Sequence, residues 1–291
     1  MAKDAHLPAY ARLGLDVVGV YDVARDATDG VCERFGVGRV YAGKHVLAQK
    51  PLALDLGRAR AVVEHGERAG VKVAVNQNGR WSPPWRTATL LVEAGDVGEV
   101  FGVTHLFDHD FDWIVGTPFD AIPHFVLFDF AVHWIDITRC WLDGKIPATV
   151  RAHEYRTPAQ PAGSRAPLGA VVAIDYDDGS SGVIRSVGSS RTGRPGDPFW
   201  VHGTDGTIRG SIRKSSDFVE LERGGEATRL PLEGDWLQDG FAGSMSELVS
   251  AIADDREPSH SARNNLGTLQ LTLAACRSAD EGGRPVAVDE I

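Results

Sequence analysis

Cysteine is scarce in this chain of 291 residues. The three cysteines, Cys32, Cys140 and Cys276, are widely separated and include no Cys-x-x-Cys pair. This pattern predicts neither a disulfide framework nor a zinc site, and we expect no bound metal. Reduced, unpaired cysteines are typical of a cytoplasmic protein.

The chain also lacks an excess of positive charge and any long apolar segment. Its formal net charge is -10. This acidic balance argues against nucleic acid as a partner, because a phosphate backbone is normally bound by clustered lysine and arginine. No run approaches the ~20 apolar residues that a membrane-spanning helix needs, and residues 1–10 contain no apolar signal core. We therefore expect a cytoplasmic protein that associates with no membrane.

What is present is enough apolar sequence for a sizeable core, at 43% hydrophobic and 24% charged residues. The pattern changes near Gly79. Before it, short Val-rich runs typical of buried parallel strands alternate with helical patterns, and the runs are residues 15–22, 44–51 and 71–78. Residues 55–70 between the last two runs have helical spacing, so they predict a strand-helix-strand unit. The expected first domain, residues 1–78, is therefore α/β.

After Gly79 the pattern predicts an α+β domain over residues 79–291. Residues 122–142 form the most apolar helix candidate in the chain. Beyond it, short alternating segments joined by Gly, Asp and Ser turns predict an open antiparallel sheet with helices on one face. The glycine-rich segment 203–210 lies between two such strands, so we interpret it as a hairpin and not as a phosphate loop. Two helices, at about 239–254 and 262–280, complete the prediction.

A lysine stands where the second apolar run ends. Lys50 precedes Pro51, which cannot continue a strand and fixes a turn, through either a trans or a cis bond. In open α/β sheets, ligands bind beyond the carboxyl ends of the strands. Asn76, Gln77 and Asn78 end the next run at the same predicted edge. Lys50 is therefore either a ligand-binding residue or a solvated lysine at a strand exit.

Three polar residues share one face of the most apolar helix. Asp129, His133 and Asp136 are spaced four and three residues apart among large apolar side chains. Burying such groups costs free energy unless they are paired or face a polar cavity. The spacing indicates either a functional site or an Asp-His pair that satisfies itself within the core.

Two motifs together resemble a known family. The Lys-Pro element in "GKHVLAQKPLALD" and the Asp-x-x-x-His-x-x-Asp helix in "DFAVHWID" are similar to those of the Gfo/Idh/MocA oxidoreductases, which use NAD or NADP on sugars, cyclitols and related polyols. The C-terminal segment "REPSHSARNNLGTLQLTLAACRSADEGGRPVAV" is also similar to the family's last helix and tail. The resemblance covers nearly the whole chain.

The resemblance implies roles for individual residues. Lys50 and His133 are the expected catalytic residues, with Lys50 at the reacting hydroxyl and His133 as acid or base. The expected substrate-binding residues are Asp129, Arg80, Trp81, Asp112, Trp113 and His124. The expected cofactor-binding residues are Asp22, Gln49, Lys50 and Asn78.

Cofactor and partner expectations follow from the same resemblance. Asp22 at a strand end suits the adenosine ribose hydroxyls and favours NAD over NADP, although such an Asp is also an ordinary turn residue and Arg25 could face a 2'-phosphate. Gln49 stands where the family more often has Glu. The family often associates through the open sheet face, so we expect a homodimer or homotetramer.

A glycine-rich dinucleotide loop is absent from the sequence as it stands. Residues 1–14 resemble the helix that normally follows G-x-G-x-x-G, and at Ala42 and Gly43 a βαβ unit of about 30 residues would be missing. We therefore expect a truncated Rossmann-like domain. Two hypotheses result: a sugar or cyclitol dehydrogenase, or a non-catalytic polyol-binding or assembly protein that has lost the cofactor.

Overall fold

A computed structural model describes residues 6–15, 44–191, 196–212 and 216–291 of the chain. A short helix, α1 (Leu7–Arg12), precedes the first described strand. Strands β1 (Val46–Ala48) and β2 (Val73–Val75) pair in parallel, with helix α2 (Leu56–Arg68) between them. This confirms the predicted strand-helix-strand unit. The run at 15–22, which includes Asp22, lies almost entirely outside the described residues.

The boundaries of α2 follow from its sequence. The Asp55 side chain accepts a hydrogen bond from the backbone N–H of Arg58 at 2.8 Å, which satisfies one free donor of the first turn. Gly70 adopts a φ of +64° just after the helix, a conformation that costs glycine little. The buried face of the helix includes Leu56 and Ala59, which pack against Leu269 in the C-terminal part of the chain.

The remaining helices follow the predicted order. They are α3 (Pro83–Glu93), α4 (Val132–Trp141), α5 (Trp236–Ala253) and α6 (Ala262–Asp280). The apolar helix predicted at 122–142 consists of a π-helical segment, Val126–Ala131, that continues directly into α4. Asp129 therefore lies in the π-helical part and His133 lies in α4.

Nine further strands form one sheet. They are β3 (Val100–His109), β4 (Pro147–Tyr155), β5 (Gly169–Tyr176), β6 (Ser181–Gly188), β7 (Pro198–Gly203), β8 (Thr207–Ser211), β9 (Phe218–Arg223), β10 (Glu226–Leu230) and β11 (Val286–Ala287). Their spatial order is β10-β9-β8-β7-β3-β6-β5-β4-β11. His202 pairs with Thr207, so the glycine-rich segment is the predicted hairpin.

One strand pair departs from the predicted antiparallel meander. β3 and β6 lie side by side in parallel, whereas the other neighbours in the sheet are antiparallel. The chain between these two strands contains the long helix and the β4-β5 hairpin. A connection of that length imposes no antiparallel turn, so the parallel pairing is allowed.

The helices cover one face of the large sheet, as predicted. Phe107 of β3 stacks on Trp134 of α4 with ring centroids 4.2 Å apart, and both belong to the main core. The other face is exposed: Val183 of β6 is 36% exposed there, and Phe101, at the irregularity of β3 between Val100 and Gly102, is 50% exposed. The described helices include none with the length and apolar character needed to cross a membrane.

Candidate active site

The site is built where β1 ends. The peptide bond between Lys50 and Pro51 is cis, and the chain leaves the strand at this point. Lys50 Nζ donates to the carboxylate of Asp129 at 3.0 Å and also to the backbone carbonyl of Asp129. Only 12% of the Lys50 side chain and 20% of the Asp129 side chain are exposed. The expected lysine and aspartate therefore meet in a largely buried ion pair.

His133 lies one turn further along the same helix. Burial and the nearby positive charge of Lys50 together lower its pKa to about 3, against the raising effect of Asp136. Burial also lowers the pKa of Lys50, against the raising effect of Asp129. The site thus holds a neutral imidazole beside a paired ammonium group. Within the described residues, Nδ1 of His133 has no hydrogen-bond partner.

Amide side chains line the ends of β1 and β2 at the predicted common edge. Asn76 donates from its side chain to Gln49 at 2.9 Å, and its backbone N–H continues the ladder to Ala48. The Oδ1 atom of Asn76 and both polar side-chain atoms of Gln77 are buried and have no partner among the described residues. A buried polar group without a partner costs about 1–3 kcal/mol. The edge therefore has unused hydrogen-bonding capacity beside Lys50.

Arg80 faces a protein carboxylate. It lies in the short 3₁₀ helix Asn78–Trp81, and its guanidinium donates to both carboxylate oxygens of Asp136, at 2.6 and 2.7 Å. Asp136 is 1% exposed and also accepts from Thr268 at 2.6 Å. Burial alone would raise the pKa of Asp136, but Arg80 lowers it. Asp136 thus forms an ion pair of its own, separate from the Lys50–Asp129 pair.

Two more expected residues pack on helix α5. Asn78 is buried, and a Cβ added at Gly240 would meet its backbone carbonyl at 2.8 Å. A Cβ at Gly243 would likewise meet the Trp81 ring at 2.4 Å. These close approaches explain the two glycines of the helix and place Asn78 and Trp81 against α5.

Trp236 is the neighbour of His133 that the sequence patterns did not indicate. Its ring lies 6.0 Å from the His133 ring at nearly a right angle, and it stacks on Trp134 at 6.2 Å. The tryptophan opens α5 directly after the N-cap Asp235. The helix was predicted to begin at about residue 239, so Trp236 lay outside it, and nothing in the sequence connected this residue to a helix a hundred residues earlier.

Asp112 and Trp113 lie in a separate group after β3. Asp112 accepts hydrogen bonds from Ser189 at 2.8 Å and from Arg191 at 2.5 Å. Trp113 is 51% exposed and meets Phe119 edge-on at 5.3 Å. Neither residue has a recorded contact with Lys50, Asp129 or His133.

His124 lies at the far end of the site helix. Its Nδ1 is 2.5 Å from Glu154 and its Nε2 is 3.3 Å from Asp280, at the end of α6. Among the described residues, His124 makes no hydrogen bond or ion pair with the side chains of Lys50, Asp129 or His133. The structure thus groups Lys50, Asp129 and His133, whereas the His124 ring contacts Glu154 and Asp280.

Comparison with known proteins identifies the family. The family model for the Gfo/Idh/MocA C-terminal domain matches residues 85–209. D-apiose dehydrogenase from Paraburkholderia graminis is 31% identical over 252 residues, which cover 83% of this chain and 66% of the relative. The chain belongs to the Gfo/Idh/MocA family. Inositol 2-dehydrogenase from Rhizobium meliloti, 27% identical, is matched over 82% of this chain and 72% of its own length.

Solved structures share the fold of this family member. An oxidoreductase from Agrobacterium radiobacter, in complex with NAD+, L-tartaric acid and magnesium, aligns with a TM-score of 0.84 and 22% identity over 98% of this chain and 95% of that one. An inositol dehydrogenase homologue from Azotobacter vinelandii, complexed with NADH and myo-inositol, aligns with a TM-score of 0.69 and 18% identity. This alignment covers 84% of this chain and 72% of that one. At these identities the likeness establishes the fold.

Proposed function

We propose that this Gfo/Idh/MocA member is a dehydrogenase that transfers a hydride between a secondary alcohol of a sugar or cyclitol and NAD or NADP. The observation that carries the proposal is the meeting of Lys50, Asp129 and His133 at the carboxyl end of a parallel strand. Ligands of open α/β sheets bind at that edge. The names of the apiose and inositol dehydrogenases support the substrate class.

In this proposal the two catalytic residues have different roles at the hydroxyl oxygen of the substrate. The Lys50 ammonium donates to that oxygen and stabilises its developing negative charge. His133, neutral at working pH, accepts the hydroxyl proton. A bound nicotinamide ring would supply the acceptor for the hydride that leaves the carbon carrying this hydroxyl. A hydroxyl whose carbon is losing a hydride becomes strongly acidic, so a weakly basic imidazole is sufficient.

The residues at the edge of β1 and β2 fit the nicotinamide end of a dinucleotide. Gln49 is exposed there, and the buried amides of Asn76 and Gln77 have unused donors and acceptors. A carboxamide and ribose hydroxyls need such groups. Asp22, expected at the adenosine ribose and the basis for favouring NAD, lies outside the described residues. The choice between NAD and NADP stays a prediction, as does the domain boundary at 78/79.

Spectrophotometry on the purified chain tests this function. A panel of aldoses, branched sugars and cyclitols, each with NAD and with NADP, should include at least one pair that yields reduced cofactor. Lys50→Met and His133→Gln should lose turnover by about 10²–10⁴ fold and keep the wild-type circular dichroism spectrum. The matched control is Lys72→Met. Lys72 directly precedes β2 and also forms an ion pair, but its partner Asp255 is exposed and lies outside the site.

Calorimetry separates the competing function. Absence of NAD and NADP binding would contradict the dehydrogenase. Saturable sugar binding without a cofactor would instead support a non-catalytic polyol-binding protein.

We also infer a homodimer or homotetramer that forms through the uncovered face of the large sheet. The register aligns Trp200, Thr104, Val183 and Ala173 across four neighbouring strands on that face. Arg209 and Arg151 continue the same row on β8 and β4. An apolar centre with a charged rim is typical of subunit interfaces.

A further inference from the structure

The site helix begins at a strained residue. His124 has a φ of +51°, in the left-handed region that non-glycine residues seldom adopt. Its backbone carbonyl accepts the N–H of Phe128 at 2.7 Å, so this residue starts the helical hydrogen-bond pattern that reaches Asp129 and His133. Conformations of this kind persist only where the surroundings enforce them.

The enforcing contacts come from two other elements. Nδ1 of His124 is 2.5 Å from Oε2 of Glu154 on β4, and Nε2 is 3.3 Å from Asp280 at the end of α6. The imidazole therefore joins the start of the site helix to the sheet and to the last long helix. We refer to His124, Glu154 and Asp280 as the clamp.

Glu154 makes the clamp depend on charge. Its side chain is 8% exposed, and Oε1 has no partner among the described residues, so His124 supplies the recorded hydrogen bond of a buried carboxylate. The hydrogen bond to Glu154 raises the pKa of His124, against burial. The neighbouring thiol of Cys276 stays neutral, since burial raises its pKa to about 12. Removing one partner of a buried ion pair leaves an uncompensated charge, which is strongly unfavourable.

We propose that His124 is a positioning residue, whose clamp fixes the start of the helix that carries Asp129 and His133. Through that helix the clamp fixes the backbone carbonyl and carboxylate of Asp129, which hold the Lys50 ammonium. The catalytic meaning of this placement rests on the proposed function. The placement of Asp129 by the clamp does not rest on the proposed function, because the chemical reactivity of Lys50 measures it without any turnover.

The clamp has a defined response to pH. His124 is protonated below its raised pKa, so both ion pairs are present there. Above that pKa the imidazole loses its proton, and Glu154 becomes a buried charge without a cationic partner. The clamp therefore carries its ion pairs below the raised pKa of His124 and loses them as pH rises through that pKa.

Lysine acylation tests the clamp. The protein is treated with limiting acetic anhydride, and the modification rate of each lysine is measured by mass spectrometry. His124→Asn keeps a side-chain donor and tolerates the left-handed backbone, but it removes the charge. We expect Lys50 to react about fivefold faster or more in this variant at pH 7, because Asp129 no longer holds it. Lys72 in the same sample should be unchanged.

Two further variants make the test decisive. Glu154→Gln alone should also release Lys50, whereas the double variant His124→Asn with Glu154→Gln restores a neutral hydrogen-bonded pair and should return Lys50 towards the wild-type rate. Asp280→Asn should release Lys50 by a smaller factor than Glu154→Gln, since the Asp280 carboxylate is 68% exposed and that of Glu154 is 8% exposed.

The pH dependence distinguishes the clamp from simple packing. As pH rises above the pKa of His124, the ratio of the Lys50 rates in the His124→Asn variant and the wild type should fall towards one. A constant ratio would indicate a packing role. Equal Lys50 rates in the variant and the wild type at pH 7, or no rescue in the double variant, would overturn the proposal. A chain that fails to oxidise any alcohol leaves this outcome unaffected.

Discussion

At the scale of single residues, burial lowers the pKa of both expected catalytic groups and so favours the neutral form of each. The pKa of His133 falls to about 3, so the imidazole is neutral at any working pH. Burial also lowers the pKa of Lys50, so the ammonium loses its proton at a lower pH than an exposed lysine. An exposed histidine has a pKa near 6.5, and the buried position of His133 is the main reason that its pKa lies lower.

These shifts predict the pH profile of kcat/KM. Because His133 is already neutral, the profile should show no acidic limb near pH 6.5. It should decline on the alkaline side, below the ordinary lysine pKa, as Lys50 loses the charge that stabilises the alkoxide. Initial rates across the pH range, with the control Lys72→Met, measure this. An acidic limb near pH 6.5 that disappears in His133→Gln would contradict the structural account.

At the scale of elements, much of the architecture was available from local patterns. The βαβ unit, its Asp55 cap and the strand segments of the sheet follow from apolar periodicity and turn residues. The Lys50–Asp129 contact joins residues 79 positions apart, and only the resemblance of both motifs to one family indicated it. The parallel β3-β6 pair and the π-helical start of the site helix were not predictable, because long-range packing decides them.

The Arg80–Asp136 pair gives Arg80 a structural contact in addition to the substrate role that the family resemblance implied. The sequence assigned Arg80 to substrate, whereas the structure uses it to hold the 3₁₀ helix against α4 through a buried carboxylate. Its spacing to Asp136 carries no periodic signal, so no local pattern could pair the two residues. The substrate role of Arg80 stays a prediction.

Urea unfolding measures how much the Arg80–Asp136 pair contributes to the free energy of unfolding. Arg80→Met removes the two hydrogen bonds from Arg80 to the buried Asp136 carboxylate and leaves it only the longer ion pair with Arg139, at 3.9 Å. The free energy of unfolding should fall by about 3–5 kcal/mol. Replacing both Arg80 and Asp136 by Met should recover most of the loss, since neither member of the pair is then left buried without the other. Arg263→Met is the control: Arg263 and Glu67 are 63% and 51% exposed, so we expect less than about 1 kcal/mol. Equal losses in Arg80→Met and Arg263→Met would show that the buried pair has no special role.

At the scale of the whole molecule, the two faces of the large sheet differ in what covers them. One face packs against the helices that carry the site, with Phe107 and Trp134 at the contact. The other face is uncovered by the described residues and exposes Phe101 and Val183. The exposed apolar side chains on this open face gain free energy when they are buried against another surface. A second copy of the chain supplies a surface that matches by symmetry.

Sedimentation velocity tests this association. The wild-type chain should sediment as a dimer or tetramer. Val183→Glu places a charge in the centre of the open face and should shift the species towards the monomer, while the circular dichroism spectrum stays unchanged. Val249→Glu is the matched control, because Val249 is similarly exposed, at 42%, but lies on helix α5. If Val183→Glu sediments like the wild type, or if Val249→Glu dissociates the oligomer equally well, the uncovered sheet face is not the interface.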